Sequence, residues 1–447
     1  MEIKFSISGD LIESFFQSLD DNNIKYAVLR NYLGLPLSNS SKDIDILFNP
    51  SEIDNTQSIL IECASNLGYL LIWSNPLDHL KGFVFAKVGD SVQTIKFNLF
   101  IGLRWRGLDY LSSNKLLANR KEYNGIHVLD SIDESIVSYF YHTLFTKKIK
   151  NKYHNKIIND FKSFDIFDRL QYLFNSNNNQ KLIEESISDL NKSVLKNRKK
   201  IILKLFMKSF GIKYFIRLLK NIHTEYFLRL KFGYFISFSG PDGVGKSTLV
   251  DTLNNILFEL GITDKTVPDH LLSENVPALH KSIFAKKSRL KQKYDKPYSV
   301  KPVSYFESFL RSCYYIVIFI YDGFLIFNRK RKNNLVIYDR YIMDFSVDTR
   351  RMRIKMPDIL SKLILKLLKF DDFNVLITAE ADQILERKDE LNREQLDYLL
   401  ARYDNLSNMC KRSTIYSNSN NLLQSQKDFL SLIFLNLNKY YLKTINN

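Results

Sequence analysis

The sequence predicts an α/β protein with two folded regions and a helical connector between them, and three observations support this prediction. Residues 234–260 have the pattern of an apolar strand, a glycine-rich loop and a helix, and strand–helix alternation continues to the end. The first third of the chain mixes short strands with helices. The stretch between these regions is helical in pattern. We therefore expect one domain at residues 1–130, a basic helical connector at 131–231 and a second domain at 232–447.

Composition narrows the class of protein. The chain has 447 residues, of which 45% are hydrophobic, so it has material for two or three packed cores. The net charge of +16 favours an anionic partner: a nucleotide, a nucleic acid or an anionic membrane surface. Three widely spaced cysteines, Cys63, Cys313 and Cys410, indicate neither a disulfide framework nor a zinc site. The first residues include acids and lack the apolar segment of a signal peptide, so we expect a cytoplasmic location.

The first domain is expected to mix strands and helices in an α+β arrangement. An amphipathic helix is predicted over residues 10–22. Strands are predicted at Tyr26–Leu29, Asp43–Phe48 and Thr94–Ile101. From about Ser131 to about residue 230 the pattern is helical, and a loop is expected at residues 175–180.

The connector contains a strongly basic segment. No acidic residue occurs between Asn191 and Thr224, and the lysines and arginines of residues 196–220 are interleaved with apolar residues. A basic amphipathic helix pair can lie on an anionic membrane. It can also pack its apolar side on a neighbouring domain and leave its lysines in water, which is the commoner arrangement. The sequence leaves both arrangements open.

The second domain begins with a glycine-rich loop that follows an apolar strand, Tyr234–Phe238, and precedes a helix, Thr248–Leu260. The loop fits the pattern G-x-x-x-x-G-K-[ST], in which backbone amides surround phosphate oxygens and the helix directs its positive end at the same anion. The residues expected to bind the nucleotide are Gly240, Asp242, Gly243, Val244, Gly245, Lys246, Ser247 and Thr248. We expect Lys246 to reach the β- and γ-phosphates and the Ser247 hydroxyl to bind Mg²⁺. ATP and Mg²⁺ are therefore the expected cofactors.

Further strands are predicted after the loop, at Leu335–Tyr338, Phe373–Ala379 and Thr414–Tyr416, with a final helix running through Leu435. Their alternation with helices predicts a parallel sheet. The most apolar stretch, Cys313–Phe327, is shorter than the ~20 residues of a membrane span, so a buried helix is expected there.

The strand at Leu335–Tyr338 ends in an acid and an arginine. A carboxylate at the carboxyl end of a strand beside the phosphate loop lies near the metal, so Asp339 is expected to accept hydrogen bonds from metal-bound water or to orient the substrate. Arg340 is expected to stabilise charge on a transferring phosphoryl group. The alternative is an Asp–Arg pair that only ties the strand to the next helix.

Residues 240–248, read together with Asp339-Arg340-Tyr341, resemble the thymidylate kinase family of nucleoside monophosphate kinases. The resemblance covers residues 234–440. It implies a three-layer P-loop domain with a parallel sheet and phosphoryl transfer from ATP. It also implies a lid after the helix that follows Phe373–Ala379, with Arg387, Lys388 and Arg393 as candidate lid cations.

The sequence departs from that family at two places. No arginine occurs between Val267 and Pro277, where the family holds the monophosphate and the metal; Asp269, His270 and Glu274 are polar there. The family's thymine-recognition signature is missing after Tyr341, and a lysine-rich stretch at 286–301 either covers the acceptor site or forms an exposed loop. The resemblance therefore implies a phosphoryl-transfer fold and leaves thymidylate as a poor substrate.

Two aspartates in the first domain form a D-x-D pair. Asp43 and Asp45 are two residues apart on a predicted strand, so both point to one face and are candidate Mg²⁺ ligands. Residues 28–36 together with this pair resemble a nucleotidyltransferase-like family that is fused to thymidylate-kinase-like domains in bacterial polysaccharide gene clusters. In such enzymes a third carboxylate completes a two-metal site.

The nucleotidyltransferase-like motif is incomplete in this chain. Asn98 aligns with the third carboxylate, and the Gly-Ser turn that precedes Asp43 in the family is missing. Arg30 has two interpretations: it binds a phosphate, or it pairs with Asp43 or Asp45. The resemblance implies the nucleotidyltransferase fold, and the missing carboxylate argues against efficient transfer.

These observations predict an ATP- and Mg²⁺-dependent phosphotransferase with a small acceptor. A nucleoside monophosphate is the default acceptor, and a sugar or glycan in polysaccharide synthesis is its main rival. The sequence is also compatible with a bifunctional transferase and with a non-catalytic NTP-binding regulator. The predicted catalytic residues are Lys246, Asp339, Arg340 and Arg387, and the predicted metal ligands are Ser247, Asp43 and Asp45. No specific nucleic-acid binding is expected, a homodimer is left open, and residues 196–220 are the candidate for peripheral contact with the inner face of the membrane.

Overall fold

The chain forms two compact units in the computed structural model. Residues Lys4–Arg229 and Phe434–Asn447 form the first unit, and Leu230–Ile433 with Met1–Ile3 form the second. The structure describes residues 5–6, 9–39, 41–163, 165–174, 187, 189–209, 211–263, 269–270, 304–332, 334–349, 354–355, 357–368, 370–387, 392–408, 412–418 and 421–446. Each unit combines a sheet with helices, so the protein is α/β, as predicted.

The first unit is built on a mixed eight-stranded sheet. Its strands are β1 (Phe5–Ser6), β2 (Tyr26–Val28), β3 (Ile44–Phe48), β4 (Leu70–Pro76), β5 (Leu80–Val88), β6 (Val92–Ile101), β9 (Lys121–Tyr123) and β10 (Ile126–Val128); β7 (Leu103–Trp105) and β8 (Leu108–Leu111) form a separate pair. The order across the sheet is β4-β5-β6-β3-β2-β10-β9, and β1 pairs with β6. Strands β3 and β6 run parallel with Asp45 opposite Asn98, so the pairing register brings these two polar residues side by side.

Helices lie between and after these strands, and several of them share an aromatic-rich core. They are α1 (Asp10–Asp21), α2 (Ile53–Asn66), α3 (Ser113–Ala118), α4 (Ser131–Tyr141), α5 (Asn151–Phe161), α6 (Ile166–Phe174), α7 (Leu190–Ser209), α8 (Ile212–His223) and α9 (Arg229–Phe232), with π-helical turns at His142–Thr146 and Thr224–Leu228. Leu144 and Leu205 share one buried cluster with Trp105 and Tyr110. Helices α4, α5, α6 and α7 therefore belong to the same hydrophobic core as the β7–β8 pair, whereas α9 lies in the second unit except for Arg229.

The second unit contains a five-stranded sheet in which every neighbouring pair is parallel. Its strands are β11 (Tyr234–Ser239), β12 (Asp269–His270), β13 (Leu335–Asp339), β14 (Phe373–Thr378) and β15 (Ser413–Ser417). The order is β12-β13-β11-β14-β15, with the strand before the glycine-rich loop at the centre. The predicted strands and the predicted parallel sheet are confirmed. A parallel sheet needs apolar residues on both faces, and β11 is buried along its whole length.

Helices cover both faces of the parallel sheet. They are α10 (Lys246–Glu259), α11 (Tyr305–Arg331), α12 (Ile342–Val347), α13 (Asp358–Leu368), α14 (Ala381–Arg387), α15 (Arg393–Asn408) and α16 (Leu422–Asn446). Phe235 and Phe238 are three residues apart on β11, so they point to opposite faces. Phe235 packs against Tyr341, whereas Phe238 packs against Phe429 of α16. The unit therefore has three layers.

The apolar stretch expected as a buried helix is longer than predicted and only half covered. Helix α11 buries Tyr315, Phe319 and Ile326 but exposes Val317 and Phe324. Of the helices that the structure describes, α11 is the one whose length and composition would let it cross a membrane, and 39% of its most apolar window is buried. The predicted helix is present, and it is only partly buried because the sheet covers one side of α11.

Several predicted segments lie outside the described residues. They are the loop at 175–180, the lysine-rich stretch 286–301, Lys388 and most of 267–277, of which Asp269–His270 is described as β12.

Candidate functional site

The glycine-rich loop lies at the carboxyl end of the central strand of the parallel sheet. The chain leaves β11, forms β12 and β13 on one side, and later places β14 on the other side. The side of the sheet to which successive strands are added therefore changes at β11. In open parallel sheets such a switch point leaves a crevice beyond the carboxyl ends of the strands, and ligands bind there.

Two glycines let the loop approach its neighbours closely. Gly240 and Gly245 have φ values of 147° and 82°, in the region that favours glycine. A Cβ on Gly240 would lie 2.2 Å from the carbonyl oxygen of Ile377, and one on Gly245 would lie 2.6 Å from Nδ2 of Asn418. Larger residues at these positions would push the loop off strand β14 and off Asn418. The loop conformation therefore depends on glycine at both positions.

Lys246, Ser247 and Asp339 come together beside this loop. Lys246 is the first residue of α10 and is 5% exposed, and its Nζ forms an ion pair with Asp339. Ser247 Oγ donates a hydrogen bond to Asp339 Oδ2 at 3.2 Å. Asp339 is the last residue of β13 and is 3% exposed. The structure thus brings the predicted lysine, serine and carboxylate into direct contact across about ninety positions of sequence.

Burial disfavours the charged form of the Lys246 side chain. Burial lowers the pKa of Lys246, and the nearby Arg340 cation lowers it further, while Asp339 and Asp344 oppose that change. A buried cation held by one carboxylate is poised to accept a further anion, because an added phosphate would remove the repulsion between the two cations.

Arg340 is held by carboxylates on both sides. Its Nη1 donates to Asp344 Oδ1 at 3.0 Å and to the carbonyl oxygen of Gly240 at 3.2 Å, and its Nη2 pairs with Asp242. Arg340 has a φ of 78°, a backbone conformation that is unfavourable for residues with a Cβ. Packing and these hydrogen bonds must therefore hold its backbone in this conformation. Arg340 therefore joins the end of β13 to the loop through Asp242 and Gly240, and to α12 through Asp344.

Three residues that the sequence did not single out complete the site. Asp344 is fully buried and also accepts from the Tyr403 hydroxyl at 2.6 Å and from the Gly240 amide at 3.3 Å. Asn418 follows the last strand, and its Nδ2 donates to the Val244 carbonyl oxygen at 2.6 Å. Two signals were available: Asp344 is four residues after Arg340, and Asn418 sits where a parallel strand ends.

The predicted lid cations have different positions. Arg387 ends helix α14, and its Nη1 donates to the carbonyl oxygen of Gly243 at 3.4 Å, so it lies over the loop. Arg393 is exposed and pairs with Asp382 and Asp397. Of the predicted loop residues, Thr248 lies in the first turn of α10.

The D-x-D pair of the first unit faces an amide and an arginine. Asn98 Nδ2 donates to Asp43 Oδ2 at 3.1 Å and to Asp45 Oδ1 at 2.9 Å, which confirms that both aspartates point to one face. Arg30 Nε binds Asp45 Oδ2 at 2.7 Å. Arg30 therefore pairs with the aspartate, which was one of its two interpretations.

Electrostatics in this cluster are nearly balanced. Burial raises the pKa of Asp43, and the adjacent Asp45 carboxylate raises it further, whereas Lys96, Arg30 and the Asn98 amide act in the opposite direction. Burial lowers the pKa of Lys96. Two acids thus share the site with two cations, which leaves little net charge to attract a metal ion.

The two sites differ in how well their donors suit Mg²⁺. Ser247 and Asp339 provide a hydroxyl and a carboxylate oxygen within 3.2 Å of each other, and hard oxygen donors of this kind suit Mg²⁺. At the D-x-D pair, the Asn98 amide donates a hydrogen bond to each carboxylate, and Arg30 and Lys96 offset the acidic charge that would attract a metal ion. Across the part of the chain that the structure describes, no three His, Cys, Asp or Glu residues are grouped to hold a metal.

Comparison with known proteins gives weak likenesses. No family model matches the sequence, and neither does any curated protein. A thymidylate kinase from Ehrlichia chaffeensis is similar with 14% identity and a TM-score of 0.29, over 45% of this chain and 98% of that one. A protein from H. pylori assigned as a nucleotidyltransferase is similar with 14% identity and a TM-score of 0.21, over 45% and 96%. TM-scores this low carry no argument about function, so the proposals below depend on the geometry of the sites.

Proposed function

We propose that the second unit binds a nucleoside triphosphate at residues 240–247 and transfers its terminal phosphoryl group to a small acceptor. One observation supports this most strongly: Lys246, Ser247 and Asp339 meet at the carboxyl end of the central strand of a parallel sheet. A Gly-rich loop at the start of a helix supplies backbone amides and a positive helix end, both of which favour phosphate.

Each residue has a role that follows from its position. Lys246 binds the β- and γ-phosphate oxygens and shares its charge between them and Asp339. Arg387, which already lies against the loop, adds positive charge above the transferring group. Arg340 acts as a positioning residue, because Asp242 and Asp344 hold its guanidinium against the loop.

The donor set at Ser247 and Asp339 fits Mg²⁺. Bound there, Mg²⁺ would neutralise phosphate charge and orient the β- and γ-phosphates. Asp339 has a second task in the protein itself, since it positions both the Lys246 ammonium and the Ser247 hydroxyl.

The acceptor is a nucleoside monophosphate or, as the second candidate, a sugar or glycan-linked alcohol or phosphate. We propose that dTMP is a poor acceptor, because the sequence between Val267 and Pro277 lacks arginine. The transfer itself is an in-line attack of an acceptor oxygen on the γ-phosphorus, which releases ADP.

The test is an ADP-release screen of the full chain over nucleoside monophosphates and phosphosugars at saturating ATP and Mg²⁺. We expect at least one acceptor to stimulate ADP release, and we expect dTMP to stay well below about 10⁵ M⁻¹s⁻¹ in kcat/KM. Lys246→Ala should abolish stimulated release while the protein remains folded. ADP release that no acceptor stimulates would favour a regulatory NTPase, and full activity of Lys246→Ala would refute the proposal.

For the first unit, we propose that the D-x-D pair does not support efficient nucleotidyl transfer and that the unit serves in substrate recruitment or in holding the second unit near its partner. The contacts of Asn98 with both aspartates support this, because they use the oxygens on which two metal ions depend.

A further inference from the structure

Helix α8 exposes its apolar side. Ile212, Phe215, Ile216, Leu219 and Ile222 are between 42% and 81% exposed. Their spacing of three, one, three and three residues places them on one stripe of the helix, because residues three and four apart share a face. We call these five residues the α8 stripe. A surface helix normally turns such a stripe towards the core, so its outward position needs an explanation.

The opposite side of α8 is attached to the first unit at Arg217 and at Tyr214, which packs against the buried cluster of Trp105 and Leu205. Asn221 and Thr224 are buried, and Arg217 pairs with Asp109 at 2.8 Å. The backbone of Arg217 lies so close to Gly107 that a Cβ there would be 3.2 Å from it. The helix is therefore held by the side opposite the α8 stripe, and this attachment directs the stripe outward.

Neighbouring segments extend the exposed apolar surface. The π-helical turn that follows α8 exposes Tyr226 and Phe227, and the end of α7 exposes Leu203 and Met207. An amphipathic segment of this length, with aromatic residues among its apolar ones, is typical of helices that lie in the interfacial layer of a membrane.

The positive charge of residues 191–224 indicates an anionic partner. Between Asn191 and Thr224 every ionisable residue other than histidine and tyrosine is a lysine or an arginine. Lys220 is exposed and lies beside the α8 stripe by helix geometry, whereas Arg217 lies on the opposite side, where it pairs with Asp109. A second copy of this chain would present the same cations to this face, and the like charges would repel. A partner with negative charge at its surface and an apolar layer below matches both the cations and the exposed apolar residues of this segment.

We propose that the α8 stripe inserts into an anionic lipid surface, with Lys220 at the level of the headgroups. The occupant is the membrane itself rather than a protein, because lipid offers acyl chains and negative charge in one surface. This inference is independent of the proposed phosphoryl transfer, since α8 belongs to the first unit.

The test is flotation of the full chain with vesicles of phosphatidylcholine, alone or with about 30% phosphatidylserine. We expect at least about tenfold stronger partitioning to the anionic vesicles, decreasing as salt is raised from about 50 to 500 mM. The triple variant Phe215→Gln, Ile216→Gln and Leu219→Gln should lose at least about tenfold in partitioning. Lys220→Gln should reduce the preference for anionic vesicles.

Two control variants separate the α8 stripe from exposed residues in general. Leu33→Gln removes an apolar side chain that is 77% exposed, and Lys25→Gln removes an exposed cation; neither should change partitioning. Absence of vesicle binding, equal binding to both vesicles, or full binding by the triple variant would each overturn the proposal. One further result would overturn it: the natural protein binds no vesicles and is a dimer in light scattering, whereas the triple variant is a monomer. The α8 stripe would then be covered by a second copy of the chain.

Discussion

At the scale of single residues, Asn98 decides what the D-x-D pair can do. Its amide donates to Asp43 at 3.1 Å and to Asp45 at 2.9 Å, where a third carboxylate would repel both acids and attract metal instead. Nitrogen in place of one oxygen thus replaces an anionic ligand with a hydrogen-bond donor, and Arg30 and Lys96 offset the charge of the two remaining acids.

We predict that Asn98→Asp raises Mn²⁺ affinity and nucleotide incorporation by at least about tenfold, because it restores an anionic ligand to a two-metal site. The measurements are Mn²⁺ titration and transfer of labelled nucleotide with pyrophosphate release. Asn124→Asp adds the same charge at an exposed turn and should change neither quantity. If the natural protein already transfers label at a rate that Asn98→Asp does not raise, and Asp43→Ala abolishes that rate, the prediction fails.

A second residue-scale prediction concerns His142, which is 1% exposed. Burial, with Arg30 and Lys150 nearby, lowers its pKa from 6.5 to about 4. Between these two values the unfolded chain binds the proton and the folded chain does not, so stability is lost as the pH falls from 6.5 to 4. The loss from this one group approaches about 3 kcal/mol at the lower end.

We therefore expect the unfolding free energy of His142→Gln to depend less on pH over this range than that of the natural protein. Denaturant unfolding of the first unit at pH 7 and pH 4.5 measures the difference. His223→Gln, at an exposed position of α8, is the matched control. An unchanged pH dependence in His142→Gln would show that His142 takes up its proton without unfolding.

At the scale of elements, the segment β11–loop–α10 depends on backbone conformation as well as on side chains. Gly245 and Gly261 flank α10, and both have positive φ, at 82° and 66°. A Cβ on Gly245 would meet Asn418 at 2.6 Å, whereas one on Gly261 would meet nothing within 4 Å. Substitutions at these two glycines therefore distinguish the cost of backbone strain, which both would have, from the cost of a steric clash, which only Gly245 would have.

We predict that Gly245→Ala nearly abolishes ATP binding, because it adds a clash inside the phosphate loop to a strain of about 1–2 kcal/mol. Gly261→Ala should cost only that strain and should leave ATP affinity unchanged. Thermal unfolding and titration with a fluorescent ATP analogue measure the two effects. Equal ATP affinity in both variants would argue against nucleotide binding at this loop.

At the scale of the whole molecule, the last helix belongs to both units. Residues of α16 up to Ile433 belong to the second unit, and those from Phe434 belong to the first. Within the first unit, the Leu71 amide donates to Asn438 Oδ1 at 2.9 Å, and Leu437 is fully buried. The C-terminal residues thus complete a unit whose remaining part ends more than two hundred residues earlier.

We predict that Leu437→Ala destabilises the first unit by about 2–5 kcal/mol, the cost of deleting a buried leucine side chain. Leu435→Ala, on the exposed side of the same helix, should cost less than about 0.5 kcal/mol. Hydrogen exchange of peptides covering Leu70–Pro76 reports the effect. The assignment of this helix end to the first unit would be contradicted if hydrogen exchange became equally faster in both variants, or if it became faster in neither.

Much of the fold was determined by local sequence. The glycine-rich loop, the strands at Tyr234–Ser239 and Phe373–Thr378 and the helix Asp10–Asp21 follow from residue periodicity and from glycine at strained positions, both of which are short-range properties. The same holds for Lys246, Ser247 and Asp339, because residues at the carboxyl ends of neighbouring parallel strands meet at one edge.

The tertiary structure alone decided the remaining features. Asp344 and Asn418 contact the loop from distant parts of the chain, Tyr403 contacts Asp344, and Arg340 pairs with Asp242 and Asp344. The outward direction of the α8 stripe is another such feature, since helical periodicity defines an apolar side but not what that side faces. These outcomes depend on strand order, pairing register and competition between distant partners, which no local pattern encodes.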